Sequence, residues 1–226
     1  ALMHSKNLDF GLGYFSSSGF RALSVGFAFF ISKGGKMRMI INEYLSKEDI
    51  QAIQRGRNLS PEELVEEKII QDVVELEKTL SRKDRHFFNC ISWLISTNRL
   101  DLIAITPIRE NVGIAHQKFG VFTDDNRDKV AFSGSANFSS SALFHNIESV
   151  SCYKSWLQER SEQERLNYYN NLFDKIWKGR SKVVKVLPLD KLKSTIRDRF
   201  PIHQLEDLVD KEQQLIDDLL DDEFIS

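Results

Sequence analysis

Residues 115–150 read AHQKFGVFTDDNRDKVAFSGSANFSSSALFHNIESV, and this stretch predicts the centre of the fold. QKFGVFT alternates with the period of two that is typical of a β-strand, and KVAFS is predicted to return beside it. DDNRD, between them, has the composition of a turn, so the two strands are expected to form a hairpin. SGSANFSSSALF then leaves the hairpin through a glycine and enters a short helix, and IESVSCYK alternates again as a strand.

Strands and helices also interleave outside this stretch. Further strands are predicted at Leu8–Phe15, Lys36–Asn42, Leu100–Thr106 and 182–188. Helices are predicted from Ser17 or Ser18 to Gly34-Gly35, and at 46–56, 60–80, 86–96 and 161–179. The alternation favours a layered α/β domain with a central sheet. The unbroken apolar run LDLIAIT further predicts that its strand is buried on both faces.

Sequence signals at the helix ends support three of these helices. A capping box, in which a serine and an acid three residues later satisfy each other's backbone amides, is indicated three times. The pairs are Ser46 with Asp49, Ser60 with Glu63, and Ser161 with Glu164. Glycines at 56 and 179 are the expected ends of the first and the last of these helices.

The last predicted strand ends at Pro188, so the main domain is expected to occupy residues 1–187. Residues 188–226 are expected to form a helical, acidic C-terminal extension or linker. Residues 201–226 hold nine acidic side chains and one lysine, which leaves 30 basic against 24 acidic side chains in residues 1–200. A basic body suits a polyanionic partner, but an ordinary solvated surface explains the charge equally well.

Cysteine content and hydropathy exclude several other classes of protein. Cys90 and Cys152 both lie in apolar surroundings and are expected to be buried thiols in a reducing compartment, not a disulfide framework or a zinc site. The longest apolar window, Val25–Ile31, is far shorter than the ~20 residues of a membrane span. No basic segment followed by an apolar core opens the chain, so we expect a cytoplasmic protein without membrane contact.

His116 and Lys118 are two residues apart in a predicted strand and therefore share one face of the sheet. An imidazole beside an ammonium group suits an anionic ligand. Ser135 and Asn137 follow where that hairpin turns into a helix, and a helix N-terminus offers unpaired amides to a phosphate. The sequence thus places a nucleophile, a cation and phosphate donors close together along the chain.

Glu148 adds a carboxylate within a predicted apolar strand, where a buried charge needs a partner. A histidine N–H satisfies this need and leaves the other ring nitrogen available to attack. The pair His116 and Lys118 alone is better explained as a polar hairpin with a hydrogen-bonded histidine. Together with GSAN and Glu148 in this order, a phosphoryl-transfer site is the better explanation.

This pattern resembles the signature of the phospholipase D superfamily. His116-x-Lys118 followed by Gly134-Ser135-x-Asn137 matches HxKxxxxD followed by GSxN, and the segments NF after GSA and NIESV look like the nuclease branch. YFSSSGFRAL and GGKMRMIIN also resemble the first βαβ unit of these domains. The resemblance covers residues 8–187 and implies a central mixed β-sheet flanked by helices on both faces.

The resemblance also implies a mechanism. Members pair two such motifs across a two-fold axis: one histidine attacks phosphorus, and the other protonates the leaving oxygen and then activates water. It assigns catalytic roles to His116, Lys118 and Glu148, and phosphate binding to Lys118, Ser135 and Asn137, without a metal or other cofactor. The chain has one complete motif, so a homodimer is expected to build the site. His4-Ser5-Lys6 also spells His-x-Lys, but no GSxN follows it and its terminus is expected to be unstructured.

One position departs from the family pattern. The family places an aspartate seven residues after the histidine, where this chain has Thr123, followed by Asp124 and Asp125. The family aspartate is largely structural, so a shift within a turn is tolerated, and both acids are left out of the catalytic set.

The expected function is metal-independent cleavage of DNA in a restriction or defence system, with a fused or associated helicase or restriction domain as a further expectation. One alternative is a non-catalytic, dimerising DNA-binding module, for which Thr123 is the best support. Another alternative is a hydrolase of phospholipids or small phosphodiesters.

Other polar residues are weaker candidates. His145 could line the site but more often would lie at the surface, and His86 and His203 have no supporting neighbours in the sequence. Glu66-Glu67-Lys68 is expected to be a solvated helix face. Four cations could reach phosphates beside the site: Arg21, Lys36, Arg38 and Arg109. The aromatic runs at 27–30 and 87–93 are expected to form core and dimer interface.

Overall fold

Seven strands form one mixed sheet in the computed structural model, which describes residues 1–12, 26–43, 59–108, 118–134, 150–201 and 203–225. The strands are β1 (Asn7–Leu12), β2 (Lys36–Asn42), β3 (Leu100–Pro107), β4 (Lys118–Thr123), β5 (Lys129–Gly134), β6 (Val150–Lys154) and β7 (Val184–Pro188). Their order across the sheet is β6-β5-β4-β1-β2-β3-β7. Strands β1, β2 and β3 are parallel, whereas β4, β5 and β6 form an antiparallel meander and β7 runs antiparallel to β3.

Six α-helices accompany the sheet in these ranges. They are α1 (Phe27–Ser32), α2 (Pro61–Glu77), α3 (Arg82–Ser96), α4 (Arg160–Trp177), α5 (Asp190–Arg199) and α6 (Leu205–Ile225). A short 3₁₀ turn, Leu2–His4, precedes β1. The α/β class, the mixed sheet and the predicted hairpin are thus confirmed. None of the described helices is long and apolar enough to cross a membrane.

Two hydrophobic clusters lie on opposite faces of the sheet, because alternate residues of a strand point to opposite sides. In β2, Met37, Met39 and Ile41 belong to the larger cluster and Ile40 to the smaller one. Helices α1, α2, α3, α5 and α6 contribute to the larger cluster, and α4 contributes to the smaller. Phe27 and Phe30 of the first aromatic run and Phe87 and Phe88 of the second lie in the larger cluster, which confirms the prediction that they are core.

The helix ends follow the sequence signals in part. Ser60 and Glu63 form the predicted capping box on α2, and Gly179, with φ +64°, follows the end of α4 as expected. The predicted box at Ser161 is wrong, because α4 begins at Arg160 with Glu159 as its N-cap and no side-chain cap. Glu162, in the first turn, instead accepts a hydrogen bond from the backbone N–H of Lys154 at the end of β6 (3.1 Å).

Helix α1 is shorter than predicted. Gly26 is its N-cap with φ +104°, a conformation that breaks a helix and favours glycine, so α1 begins at Phe27. The predicted cap at Ser17 or Ser18 and the predicted helix at 46–56 lie outside the described residues. The stop at Gly34, with φ +81°, is confirmed.

The core continues beyond the expected boundary at residue 187. Residues 188–225 are largely helical, as predicted, but they also supply fully or almost fully buried side chains to the larger cluster. These are Leu189, Leu192, Ile196, Phe200 and Leu208. The ring of Phe200 stacks on Phe88 at a centroid distance of 4.6 Å, and its carbonyl accepts a hydrogen bond from Ser92 Oγ (2.7 Å). The last strand of the sheet therefore ends near residue 187, but the hydrophobic core includes residues beyond it.

Two expectations about burial are corrected. Cys90 is buried as predicted, but Cys152 is exposed, because β6 is an edge strand whose residues are mostly solvent-accessible. Strand β3 is not buried on both faces along its whole length. Asp101 is exposed where the strand begins, whereas Ile105 is buried near its end.

Candidate functional site

The strands that carry the predicted motif end side by side. Lys118, the first residue of β4, pairs with Gly134, the last residue of β5, and Gly134 in turn pairs with Val150, the first residue of β6. The register therefore aligns three points of the chain that are up to 32 residues apart in sequence. Lys118 follows His116 in the chain, Gly134 directly precedes Ser135, and Val150 follows Glu148.

Of the predicted site residues, the structure describes Lys118. Its side chain is buried, with 5% of the residue exposed, which is uncommon for lysine and requires compensating interactions. The other four predicted residues lie outside the described residues: His116, Ser135, Asn137 and Glu148. The same holds for His145, Arg21 and Arg109. The described strand ends connect directly to the segments that contain the four site residues.

The carboxyl ends of the parallel strands lie at the same edge of the sheet. Gly11, near the end of β1, pairs with Phe119, the neighbour of Lys118, and Asn42 at the end of β2 pairs with Ile105. We call this edge, defined by Leu12, Asn42, Lys118, Gly134 and Val150, the Lys118 edge. In open α/β sheets, ligands bind in the crevice outside the carboxyl ends of the parallel strands.

Several buried polar residues lie at the Lys118 edge. Asn42 and Glu43 are 6% and 4% exposed where β2 ends, and Ser133 is 6% exposed beside Gly134. Tyr169 of α4 donates a hydrogen bond to Ser133 Oγ (2.8 Å) and so fixes the end of β5 to the helix above it. Sequence reasoning missed Asn42 and Glu43. Their signal was a polar pair directly after the apolar strand MRMII.

The acidic turn lies at the far end of the hairpin. Thr123 pairs with Lys129 and with Asn7, at the edge of the sheet opposite to the Lys118 edge. Thr123 is five positions after Lys118 along the extended strand, which corresponds to about 17 Å. We call this opposite side the Thr123 edge. The departure from the family pattern at Thr123 is therefore remote from Lys118.

Asp124 has a structural role in this turn. Its Oδ1 accepts hydrogen bonds from the backbone N–H groups of Asn126 and Asp128 (both 2.8 Å). Its own N–H donates to the carbonyl of Asp128 (3.0 Å), and Arg127 adopts φ +68°. Aspartate commonly stabilises a turn in this way, because its side chain accepts hydrogen bonds from backbone N–H groups of the same turn.

Asp124→Ala is expected to lower the free energy of unfolding by about 1–3 kcal/mol, because two backbone amides lose their acceptor. Chemical denaturation of the purified protein measures this change. Asp125→Ala is the matched control, since the Asp125 side chain is 73% exposed and, among the described residues, pairs with Lys6 at 3.5 Å. Equal stability of the two variants would contradict the structural role of Asp124.

A cleft of about 530 Å³ opens at the Thr123 edge. Lys36 and Arg38, which the sequence offered as cations that could reach phosphates beside the predicted site, line this cleft at the edge opposite to Lys118 instead. The guanidinium of Arg38 makes two hydrogen bonds to Asp9 (2.7 and 2.6 Å) and one to Asp174 (3.3 Å). It also lies 5.0 Å from the ring centroid of Phe173.

These contacts make Arg38 a structural cation. The hydrogen bonds that the Arg38 guanidinium donates to Asp9 raise the pKa of Arg38. The pKa of Asp174 is lowered, first by its hydrogen bond from Lys178 and further by the charges of Lys178 and Arg38. The remaining cations of the cleft are Lys36, Arg99, Arg127 and Lys129.

The second His-x-Lys string also lies at the Thr123 edge. The expectation of an unstructured terminus is wrong, because His4 ends the 3₁₀ turn and Leu2 packs into the larger cluster. The backbone N–H of Lys6 donates to the carbonyl of Thr123 (2.8 Å). His4 thus lies at the edge opposite to Lys118 and cannot supply a second histidine to the predicted site of its own chain.

Two weaker candidates have neighbours that the sequence did not reveal. His86 is fully buried against Cys90 and Glu212, and His203 lies beside the side-chain amide of Asn89 (3.2 Å). Burial raises the pKa of the Cys90 thiol well above its usual range, and the charge of Glu212 adds to this effect. A thiol in this setting is not a reactive nucleophile.

The Glu66-Glu67-Lys68 string is in α2, as predicted. Lys68 pairs with Asp72 one turn later, which is typical of a helix surface. Glu66 is more than a solvated side chain, because its carboxylate accepts a hydrogen bond from the backbone N–H of Leu192 (3.0 Å). This contact connects α2 to the beginning of α5.

No family model matches the chain, and no curated protein sequence matches it. The motif residues and the register of the strands beside them are therefore the basis for a functional proposal.

Proposed function

We propose that this chain is a phospholipase D-like nuclease domain that cleaves phosphodiester bonds in DNA through a histidine nucleophile. The observation that carries the proposal is the register of β4, β5 and β6. It aligns Lys118, Gly134 and Val150 at one edge, so that the segments with His116, with Ser135 and Asn137, and with Glu148 all begin or end there.

The proposed chemistry is a two-step displacement at phosphorus. His116 attacks the phosphorus atom, the bond to the leaving oxygen breaks, and a second histidine protonates that oxygen. Water, deprotonated by the second histidine, then hydrolyses the phosphohistidine. Lys118 and Asn137 stabilise the charge on the non-bridging oxygens, and Glu148 orients the imidazole of His116. Burial of Lys118 supports its role, since a cation acts more strongly on a phosphate where water is excluded.

The second histidine is proposed to come from a second copy of the chain. His4, the other histidine followed by Lys at the second position, lies at the Thr123 edge and is excluded as its source. A two-fold contact between the Lys118 edges of two chains would place His116 of both copies in one site. An associated helicase or restriction domain remains part of the proposal for the full protein.

The cleft at the Thr123 edge favours a second candidate, a non-catalytic DNA-binding module. Lys36, Arg99, Arg127 and Lys129 surround this cleft, and cations on one surface attract the phosphate backbone. The two candidates differ in chemistry, since only an enzyme forms a covalent phosphohistidine.

A substrate screen in EDTA tests the proposed function. Plasmid DNA, single-stranded DNA and phosphatidylcholine vesicles are incubated with the protein, and its mass in solution is measured by analytical ultracentrifugation. We expect cleavage of DNA, no turnover of the lipid, an acid-labile phosphoprotein after quenching, and a dimer. DNA binding without cleavage or trapped intermediate supports the second candidate. A strict monomer at the working concentration contradicts the shared site.

A further inference from the structure

Three side chains with metal-binding atoms meet inside the protein. His86 and Cys90 of α3 and Glu212 of α6 are all completely or almost completely buried, and their donor atoms lie within 4.8 Å of one another. His86 Nε2 is 3.3 Å from Glu212 Oε2 and 3.7 Å from Cys90 Sγ. No other group of three such residues is close enough to hold a metal in the part of the chain that the structure describes.

The two separations from His86 Nε2 agree with a tetrahedral metal centre. Zinc binds sulfur at about 2.3 Å and nitrogen or oxygen at about 2.0–2.2 Å, so tetrahedral ligands stand about 3.6 Å (N···S) and about 3.3 Å (N···O) apart. The observed separations of 3.7 and 3.3 Å agree with these values. The interval of four residues between His86 and Cys90 places both on one face of α3, as a chelating pair requires.

Charge and the surrounding hydrogen bonds fit a divalent cation. A carboxylate and a thiolate together balance two positive charges, so the loaded cluster would be neutral in a core where net charge is costly. The carboxylate of Glu212 is also held in place by the backbone of α1. Its Oε2 accepts from the N–H of Ala28 (2.7 Å), and its Oε1 meets the N–H of Phe29 (3.4 Å). Outer contacts of this kind orient metal-bound carboxylates.

We propose that His86, Cys90 and Glu212 form a structural site for a divalent metal ion of the zinc class. The ion would tie α6 to α3 and, through the hydrogen bonds of Glu212, to α1. Three protein ligands leave the fourth tetrahedral position to a further donor such as a bound water, and complete burial keeps that position away from solvent and substrate. None of its ligands belongs to the strands of the Lys118 edge, so the proposal does not depend on the proposed nuclease activity.

Metal analysis of the purified full chain tests the site. After exhaustive dialysis, we expect about one equivalent of zinc in the wild-type protein, because a buried site releases its ion slowly. Cys90→Ser removes the soft ligand with little change in volume and is expected to lose the metal. Cys152→Ser is the matched control, since Cys152 is exposed and outside the cluster, and it is expected to retain the metal.

Cobalt substitution provides a second measurement that does not depend on how well a variant folds. The metal-free wild-type protein, reloaded with Co²⁺, is expected to show thiolate-to-cobalt charge-transfer absorption and an increase in Tm. Cys152→Ser should reproduce both changes. The proposal is overturned if the wild-type protein purifies without metal and neither Co²⁺ nor Zn²⁺ changes its spectrum or its Tm. His86 and Glu212 would then form a buried hydrogen-bonded pair alone.

Discussion

His116→Ala is expected to reduce DNA cleavage in EDTA by a factor on the order of 10³ to 10⁶, the range seen when an enzyme loses its nucleophile. In the proposed mechanism the variant cannot form the covalent intermediate, whereas Lys118 and the proposed phosphate donors are unchanged. DNA affinity should therefore change much less than the cleavage rate. Single-turnover cleavage and a binding titration at fixed salt separate the two quantities.

His4→Ala is the control for this experiment. His4 is exposed at the Thr123 edge, and its removal leaves the proposed site untouched. We expect wild-type cleavage from it. EDTA-resistant cleavage that persists in His116→Ala would refute the assignment of the nucleophile. Circular dichroism spectra of both variants show whether either of them has lost activity because it is unfolded.

Phe200→Ala is expected to lower the free energy of unfolding by about 3–5 kcal/mol, the usual cost of removing a large aromatic side chain from a core. Phe200 is fully buried and stacked on Phe88, although it lies beyond the predicted end of the domain. The loss combines the burial of apolar surface with the cavity that the smaller side chain leaves. Denaturant unfolding followed by fluorescence measures it.

The matched control is Trp156→Ala, because this aromatic residue is 52% exposed in the turn after β6. Its effect should stay close to the ~0.5 kcal/mol that is typical of surface substitutions. If Phe200→Ala were no more destabilising than this control, residues 188–225 would be a detachable extension. A large difference would instead make them part of the folded core.

Local signals were sufficient for most of the secondary structure. The capping box of Ser60 and Glu63, the turn at 124–128 and the glycine stops depend on contacts within a few residues, so they can be predicted from short segments. Failures occurred where a distant residue intervened. Glu162 reaches back to β6 and α4 starts before Ser161, and the edge position of β6 leaves Cys152 exposed.

The candidate site was predicted as a pattern of residues, and Lys118 is the member whose place in the fold is described. Neither spacing nor composition could reveal that Asn42 and Glu43 end a strand at the same edge. This proximity depends on the pairing of β1 with both β2 and β4, which are separated by 75 residues in the chain. The position of Lys36 and Arg38 could not be predicted for the same reason, since strand direction decides which end of the sheet a residue occupies.

By itself, the sequence determined the α/β class, the hairpin that follows His116 and most of the helices, because periodicity and capping are encoded locally. Only the tertiary structure decided which residues meet across the fold. It aligned Lys118 with Gly134 and Val150, placed Phe200 in the core, and brought Glu212 to His86 across 126 residues. Such contacts depend on strand register and on helix packing, and neither is a property of any single segment.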